Sequence, residues 1–70
     1  MIQVTINNVT INVTDYGKSM YGGWYANFNY VNDEYKGIYD GIRRPTLTEL
    51  CNALHVSKTA MRRDVRRWDN

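Results

Sequence analysis

The sequence lacks the residues from which many kinds of chemical site are built. Its 70 residues contain one cysteine, so an internal disulfide cannot form and a zinc site made of paired cysteines is excluded. They contain one histidine, and no phosphate-binding glycine loop or nucleophile motif. Asp33 and Glu34 are adjacent in a predicted turn and point apart, so they do not form a catalytic carboxylate pair. We therefore expect no enzyme, no cofactor and no metal site.

Long apolar runs are also lacking. No stretch is long enough to span a bilayer, and the sequence carries no export signal. We therefore expect a cytoplasmic protein that does not act on membranes. Seventy residues are sufficient for a single domain, residues 1–70, near the lower size limit at which a hydrophobic core alone is enough.

The charges are unevenly distributed along the chain. Residues 1–42 carry two basic and four acidic side chains, a net charge of −2. Residues 43–70 carry seven basic and three acidic side chains, a net charge of +4. Positive charge concentrated at one end is the usual electrostatic feature of a site for a polyanion. The C-terminal part is therefore the candidate for nucleic-acid binding.

The first thirteen residues predict a β-hairpin with one apolar face. Asn7 and Asn8 can form a two-residue type I′ loop, because asparagine tolerates the left-handed conformation at both positions. That loop places six apolar, β-branched residues on one face, pairing Ile6 with Val9, Val4 with Ile11 and Ile2 with Val13. The opposite face is polar.

The next thirty residues predict the rest of an antiparallel sheet. Residues 15–23 contain three glycines and no sustained period, which favours a loop. Residues 24–31 alternate as a strand, and residues 35–42 return as a shorter strand weakened by two glycines. We therefore expect an α+β fold: a sheet of three or four antiparallel strands over residues 1–42, packed on one side by two C-terminal helices.

The segment 46–68 predicts those two helices. Thr46 and Glu49 form a capping box, and Ser57 offers a second N-cap. An apolar stripe recurs at helical spacing in both helices: Leu47, Leu50, Cys51 and Leu54, then Met61, Val65 and Trp68. Cys51 lies on this stripe, so packing rather than reactivity is its expected role.

This segment resembles the helix-turn-helix of DeoR-type bacterial repressors. In that family a TL-x-EL helix leads through a VS turn into a T-[VI]-RRD-[LV] recognition helix. The matching residues here are Thr46-Leu47, Glu49-Leu50, Val56-Ser57, Thr59 and residues 61–65. His55 stands at the turn position that is usually glycine and needs φ > 0, a conformation that histidine visits with some frequency. The resemblance covers about a third of the chain. The helix that precedes this pair in the family is replaced here by a predicted strand.

The resemblance implies a DNA-reading second helix, and the basic residues supply the candidate contacts. Base edges would be reached from the start of that helix by Lys58, Thr59, Arg62 and Arg63. Phosphates would be met later in the helix and near the first helix by Arg66, Arg67, Arg43, Arg44 and Thr46. The alternative is that the basic face is only solvated. A helix face that serves solubility alone would more often mix acidic and basic residues.

The aromatic residues are the second feature of the sequence. Trp24 and Phe28 are the simplest core residues, but six tyrosines are too many for so small a core. We expect partial exposure, and a candidate protein interface, at Tyr21, Tyr25, Tyr30, Tyr35 and Tyr39. Ordinary strand-face tyrosines are the main alternative. Base stacking is a further one, disfavoured because few lysines or arginines are interleaved with these aromatics.

The leading hypothesis is a small sequence-specific protein that binds double-stranded DNA. Its size and minimal helix-turn-helix suggest a phage or mobile-element regulator of transcription or recombination, by analogy. A homodimer is expected, because one helix-turn-helix reads only a half-site. The alternative is an inhibitor that binds another protein, similar to an anti-CRISPR protein, through the tyrosine-rich sheet and the basic helix.

Overall fold

The computed structural model describes residues 1–68 and has an α+β fold. Four strands come first, then two helices and a short fifth strand: β1 (Ile2–Ile6), β2 (Val9–Lys18), β3 (Trp24–Tyr30), β4 (Tyr39–Arg44), α1 (Leu47–Ala53), α2 (Lys58–Asp64) and β5 (Arg66–Trp68). The strands β1 to β4 are neighbours in that order, and each pair is antiparallel. None of the helices formed by residues 1–68 is long and apolar enough to cross a bilayer.

The N-terminal hairpin has the predicted turn and register. Asn7 and Asn8 have φ values of 49° and 68°, both in the left-handed region that a type I′ loop requires. Ile2 lies opposite Val13, Val4 opposite Ile11 and Ile6 opposite Val9. On the other face the hydroxyl oxygens of Thr5 and Thr10 lie 2.9 Å apart. The prediction of one apolar and one polar face is therefore confirmed.

Strand β2 extends beyond the predicted hairpin and corrects the prediction of a loop over residues 15–23. The strand continues to Lys18, and only residues 19–23 form the loop. A β-bulge lies between Val13 and Asp15, so that Val13 pairs with Phe28 and Asp15 with Asn27. The extra residue turns both Val13 and Tyr16 toward the core, although they are three positions apart. This breaks the period-2 pattern from which a strand is recognised.

Strand β3 lies where it was predicted, but β4 begins later. Residues 35–42 were predicted as a strand, whereas β4 starts at Tyr39 and continues to Arg44. A 3-10 turn at Asp33–Tyr35 and a positive φ of 90° at Gly37 occupy the intervening residues. The amide of Ile38 donates to the carbonyl of Tyr35, which closes this turn. The chain therefore needs four more residues than expected before it pairs with β3.

Both helices begin at the predicted caps. The Thr46 hydroxyl accepts the amide of Glu49 at 3.1 Å, and the Ser57 hydroxyl accepts the amide of Ala60 at 3.1 Å. Helix α1 ends in a Schellman arrangement, in which the amide of Val56 donates to Cys51 and that of His55 to Asn52. The φ of His55 is 56°, which confirms the positive value expected at this turn.

Helix α2 ends earlier than predicted, at Asp64, which corrects its extension to Trp68. Val65 is already extended, with φ −114° and ψ 132°, and β5 then pairs in parallel with β2. Two physical reasons favour this ending. In a longer helix Arg62 and Arg66 would be like charges one turn apart, and the edge of β2 beyond β1 would lack hydrogen-bond partners. The sheet therefore has five strands.

The two helices cover one face of the sheet. The buried core joins residues of β2 and β3 to residues of the helix pair and the segments beside it: Ile11, Val13, Tyr16, Ala26, Phe28, Leu47, Leu50, Cys51, Leu54, Val56, Met61 and Val65. The expected packing role of Cys51 is confirmed, since only 2% of it is exposed. The other sheet face is left without a helix, and we call it the open face.

Replacing Leu50 by alanine tests this core. Leu50 is fully buried between α1 and the sheet, so Leu50→Ala should lower the free energy of unfolding by about 2–5 kcal/mol. Urea denaturation followed by circular dichroism measures this loss. Thr48→Ala on the exposed side of α1 is the matched control and should change the free energy by no more than about 0.5 kcal/mol. Equal effects of the two substitutions would contradict the packing described here.

Candidate nucleic-acid interface

The exposed side of α2 carries four of the predicted DNA-contacting residues. Lys58, Thr59, Arg62 and Arg63 are all exposed, whereas Met61 on the opposite side is completely buried. The Arg63 guanidinium donates to both oxygens of the Asp64 carboxylate, at 3.1 and 2.9 Å. This pairing raises the pKa of Arg63 and lowers that of Asp64. Part of the positive charge of Arg63 is therefore already neutralised.

Lys58 and Arg62 lie one helical turn apart, on the side of α2 that is near α1. Both positive charges act on the pKa of the Cys51 thiol in α1. Burial raises the pKa of this thiol, and the positive charges of Lys58 and Arg62 offset part of that rise. These two residues thus form a pair of cations beside the junction of the helices.

Arg66 and Arg67 lie on β5 rather than on the helix, so their predicted positions late in a recognition helix are wrong. The Arg66 guanidinium carbon is 4.2 Å from the ring centroid of Trp68. The Arg67 guanidinium carbon is 5.2 Å from the ring centroid of Trp24, on the helix-facing side of the sheet. Both distances are typical of cation–π contacts. The structure therefore brings arginines among the aromatics, which the sequence did not lead us to expect.

Arg43 and Arg44 lie on β4, at the same end of the sheet as β5. Arg44 pairs with Trp24 and Arg43 with Tyr25 across the strands. The Arg44 side chain donates back to the carbonyl of Arg43 at 2.8 Å. These two arginines and Pro45 line a shallow groove of about 400 Å³ against the loop that carries Tyr21, Gly22 and Gly23. Thr46 follows at the start of α1, where its hydroxyl serves as the cap.

The five candidate interface tyrosines do not form one surface. Tyr25 and Tyr39 lie on the open face, and Tyr39 is 71% exposed. Tyr30 and Tyr35 contact each other near the helix-facing side, with ring centroids 5.4 Å apart. Tyr21 is 83% exposed in the loop between β2 and β3. Any single partner would therefore meet only part of this set.

Three residues at the basic end of the sheet were not predicted as site residues: Lys18, Trp24 and Trp68. The rings of Trp24 and Tyr16 are stacked, with centroids 6.2 Å apart. The Lys18 ammonium lies 5.5 Å from the ring centroid of Trp24. Trp68 lies beside Arg66. Residues 65–68 do not alternate between apolar and polar side chains, so no period-2 pattern indicated a strand there. The helical spacing of Met61, Val65 and Trp68 indicated a helix instead.

Comparison with known proteins finds no matching family model, no matching curated protein and no matching solved structure. Within residues 1–68 no group of three or more histidine, cysteine, aspartate or glutamate side chains is arranged to hold a metal ion.

The raised pKa of Cys51 predicts a difference in stability at alkaline pH. An acid whose pKa is raised by folding stabilises the protein fully below its unfolded pKa, and this contribution is lost as pH rises toward the folded pKa. Between about pH 8 and pH 10 the protein should therefore lose more stability than Cys51→Ala does. Urea unfolding of both proteins at each pH measures this, and all other titrating groups are shared. Parallel curves would contradict a pKa raised by burial.

Proposed function

We propose that this chain is a small DNA-binding protein that contacts double-stranded DNA through the exposed side of α2. The observation that carries the proposal is the arrangement of Lys58, Thr59 and Arg62 on a helix whose other side is buried against the core. The buried side holds the helix against the core, and the exposed basic side can enter a major groove. The net charge of +4 over residues 43–70 favours approach to a polyanion.

The roles of the side chains follow from their freedom to bond. Arg62 is the best candidate for a base edge, because its fork of donors matches the acceptors of guanine. Arg63 is held by Asp64, so reading a base would require it to exchange that partner. Lys58, at the start of the helix, suits a phosphate or a base edge. These assignments extend the resemblance to DeoR-type repressors only over the helix pair.

The length of α2 bears on how the protein would achieve specificity. Seven residues span about 10 Å, which matches about three base pairs. One copy would thus read only part of a useful site, so we propose that two copies bind together as a homodimer on a symmetric site. A regulator of transcription or recombination in a phage or mobile element would suit this size and mode of binding, by analogy.

A second candidate function is binding to another protein. The connection between β3 and β4 exposes several large apolar side chains close together in the chain: Val31, Tyr35, Ile38 and Tyr39. Exposed apolar residues in a cluster are typical of protein contacts. An inhibitor of another protein, similar to an anti-CRISPR protein, would use this cluster together with the basic helix.

Replacing Arg62 by glutamine tests the DNA-binding proposal. We expect the intact protein to bind random duplex DNA weakly, with an affinity that falls steeply as salt increases. Arg62→Gln should weaken this binding and, if the lost contact is to a phosphate, reduce the slope of log affinity against log salt by about 0.9. Fluorescence anisotropy of a labelled duplex over a salt series measures both quantities.

Lys36→Gln is the matched control, since it removes one positive charge from an exposed loop distant from α2 in the chain. It should leave duplex affinity nearly unchanged. If Arg62→Gln has no larger effect than Lys36→Gln, the basic side of α2 is a solvated surface and the proposal is wrong.

A further inference from the structure

The open face carries a row of residues that the sequence places far apart. Trp68 pairs with Gly17, Gly17 with Tyr25, and Tyr25 with Arg43, so these four residues lie side by side across β5, β2, β3 and β4. Cross-strand partners project to the same face. Adjacent strands are about 4.8 Å apart, so the row extends over about 14 Å from Trp68 to Arg43.

Gly17 leaves room for the two aromatic residues that flank it in this row. A Cβ atom built on Gly17 would lie 3.3 Å from the Tyr25 hydroxyl and 3.4 Å from the Trp68 Cβ. It would also lie 2.6 Å from the Trp68 carbonyl oxygen, closer than real Cβ atoms come. Tyr25 and Trp68 therefore both pack against a position that only glycine can occupy.

Arginines flank these aromatics on the open face. The Arg66 guanidinium lies over the Trp68 ring at 4.2 Å, and Arg43 stands beside Tyr25 in the register. Asp15 is the acidic residue of the neighbouring row, and it accepts the Asn27 amide at 2.6 Å and the Thr14 hydroxyl at 3.3 Å. Asp15 keeps its negative charge beside Arg66, but its carboxylate accepts from neutral donors, and both Arg66 and Arg43 are exposed.

More positive charge surrounds the same end of the sheet. Lys18 and Arg44 are partners of Trp24, and Arg67 is a partner of Tyr16, on the helix-facing side. Further along the open face, Asn12, Asn29 and Tyr39 border a groove of about 390 Å³. A basic end that leads into a polar, aromatic groove is complementary to an extended anionic chain.

We propose that the open face binds single-stranded nucleic acid, with unpaired bases stacking on Trp68 and Tyr25 and phosphates contacting Arg66 and Arg43. Aromatic faces beside guanidinium groups are the features by which proteins hold unpaired strands with little sequence preference. Base faces in a duplex are covered by their neighbours, so this row favours a strand over a duplex. Trp68 is 44% exposed, which leaves ring surface for a base.

This site is separate from the surface proposed for duplex DNA. Helix α2 packs on the opposite side of the sheet, and its buried residue Met61 belongs to the core. The two surfaces therefore lie on opposite sides of the sheet. Single-strand binding by the open face does not require that α2 bind a duplex, and substitutions can separate the two.

The test uses fluorescence anisotropy of labelled oligonucleotides of about 12 nucleotides, a length within the range that single-strand sites occupy. Oligo-dT and oligo-rU have no duplex partner and present the same backbone chemistry with two different sugars. Binding of either strand that depends on Trp68 supports the proposal, and the tighter of the two identifies its source. Absence of binding of both strands at low salt would overturn it.

Four variants show which side chains the single-strand binding depends on. Trp68→Leu removes the aromatic face and should weaken binding at least about fivefold, whereas Trp68→Phe keeps a ring and should retain most of the affinity. Arg66→Gln should weaken binding and reduce its salt dependence. Arg62→Gln removes an equal charge from α2 and should change single-strand affinity less than about twofold at physiological salt.

Thermal unfolding of each variant by circular dichroism shows whether it folds, and the comparison of Trp68→Leu with Trp68→Phe holds even if both are somewhat destabilised. Equal losses for Trp68→Leu, Trp68→Phe and Arg62→Gln would overturn the proposal, because binding would then be unspecific charge attraction. If Arg62→Gln leaves duplex binding intact while Trp68→Leu abolishes strand binding, the duplex proposal fails and this one stands.

Discussion

The structure depends on the length of β2 and on the hydrogen bonds that its outer edge requires. The hairpin partner β1 occupies only residues 9–13 of that edge. Residues 15–17 would otherwise leave backbone donors and acceptors open, and β5 pairs with them. The Met1 amino group donates to the carbonyl of Asp64, so the start of β1 also meets the end of α2. One strand thereby determines where both ends of the described chain lie.

The position of the bulge decides which residues face the helices. Val13 and Tyr16 both turn toward the core, and as a result Asp15 and Gly17 lie on the open face. Asp15 and Gly17 then lie beside Arg66 and Trp68. The basic and aromatic end of the sheet is therefore a product of pairing between residues about fifty positions apart. The start of helix α2 depends less on such distant pairing, since its Ser57 cap is set by residues within the same turn.

The elements that follow from local rules could be predicted from the sequence. The Asn7-Asn8 loop determines its own register, the Thr46 and Ser57 caps mark the helix starts, and the left-handed His55 ends α1. Strand β5 could not be predicted in the same way, since it depends on an unpaired edge of β2 far away in the sequence. The bulge could not be predicted because it breaks the period-2 pattern of β2. For the candidate site, the exposure of Lys58 and Arg62 follows from helical period. The places of Arg66 and Arg67 do not, because an apolar residue at Trp68 fits both a helix and a strand.

Proton contacts measured by nuclear magnetic resonance test whether β5 pairs with β2. Pairing in this register should give contacts between backbone protons of Trp68 and of Gly17, and between those of Arg66 and Asp15. The sequential amide contacts typical of a helix should stop at Val65. Helical amide contacts that continue through Arg66 and Arg67, without contacts to β2, would contradict this pairing.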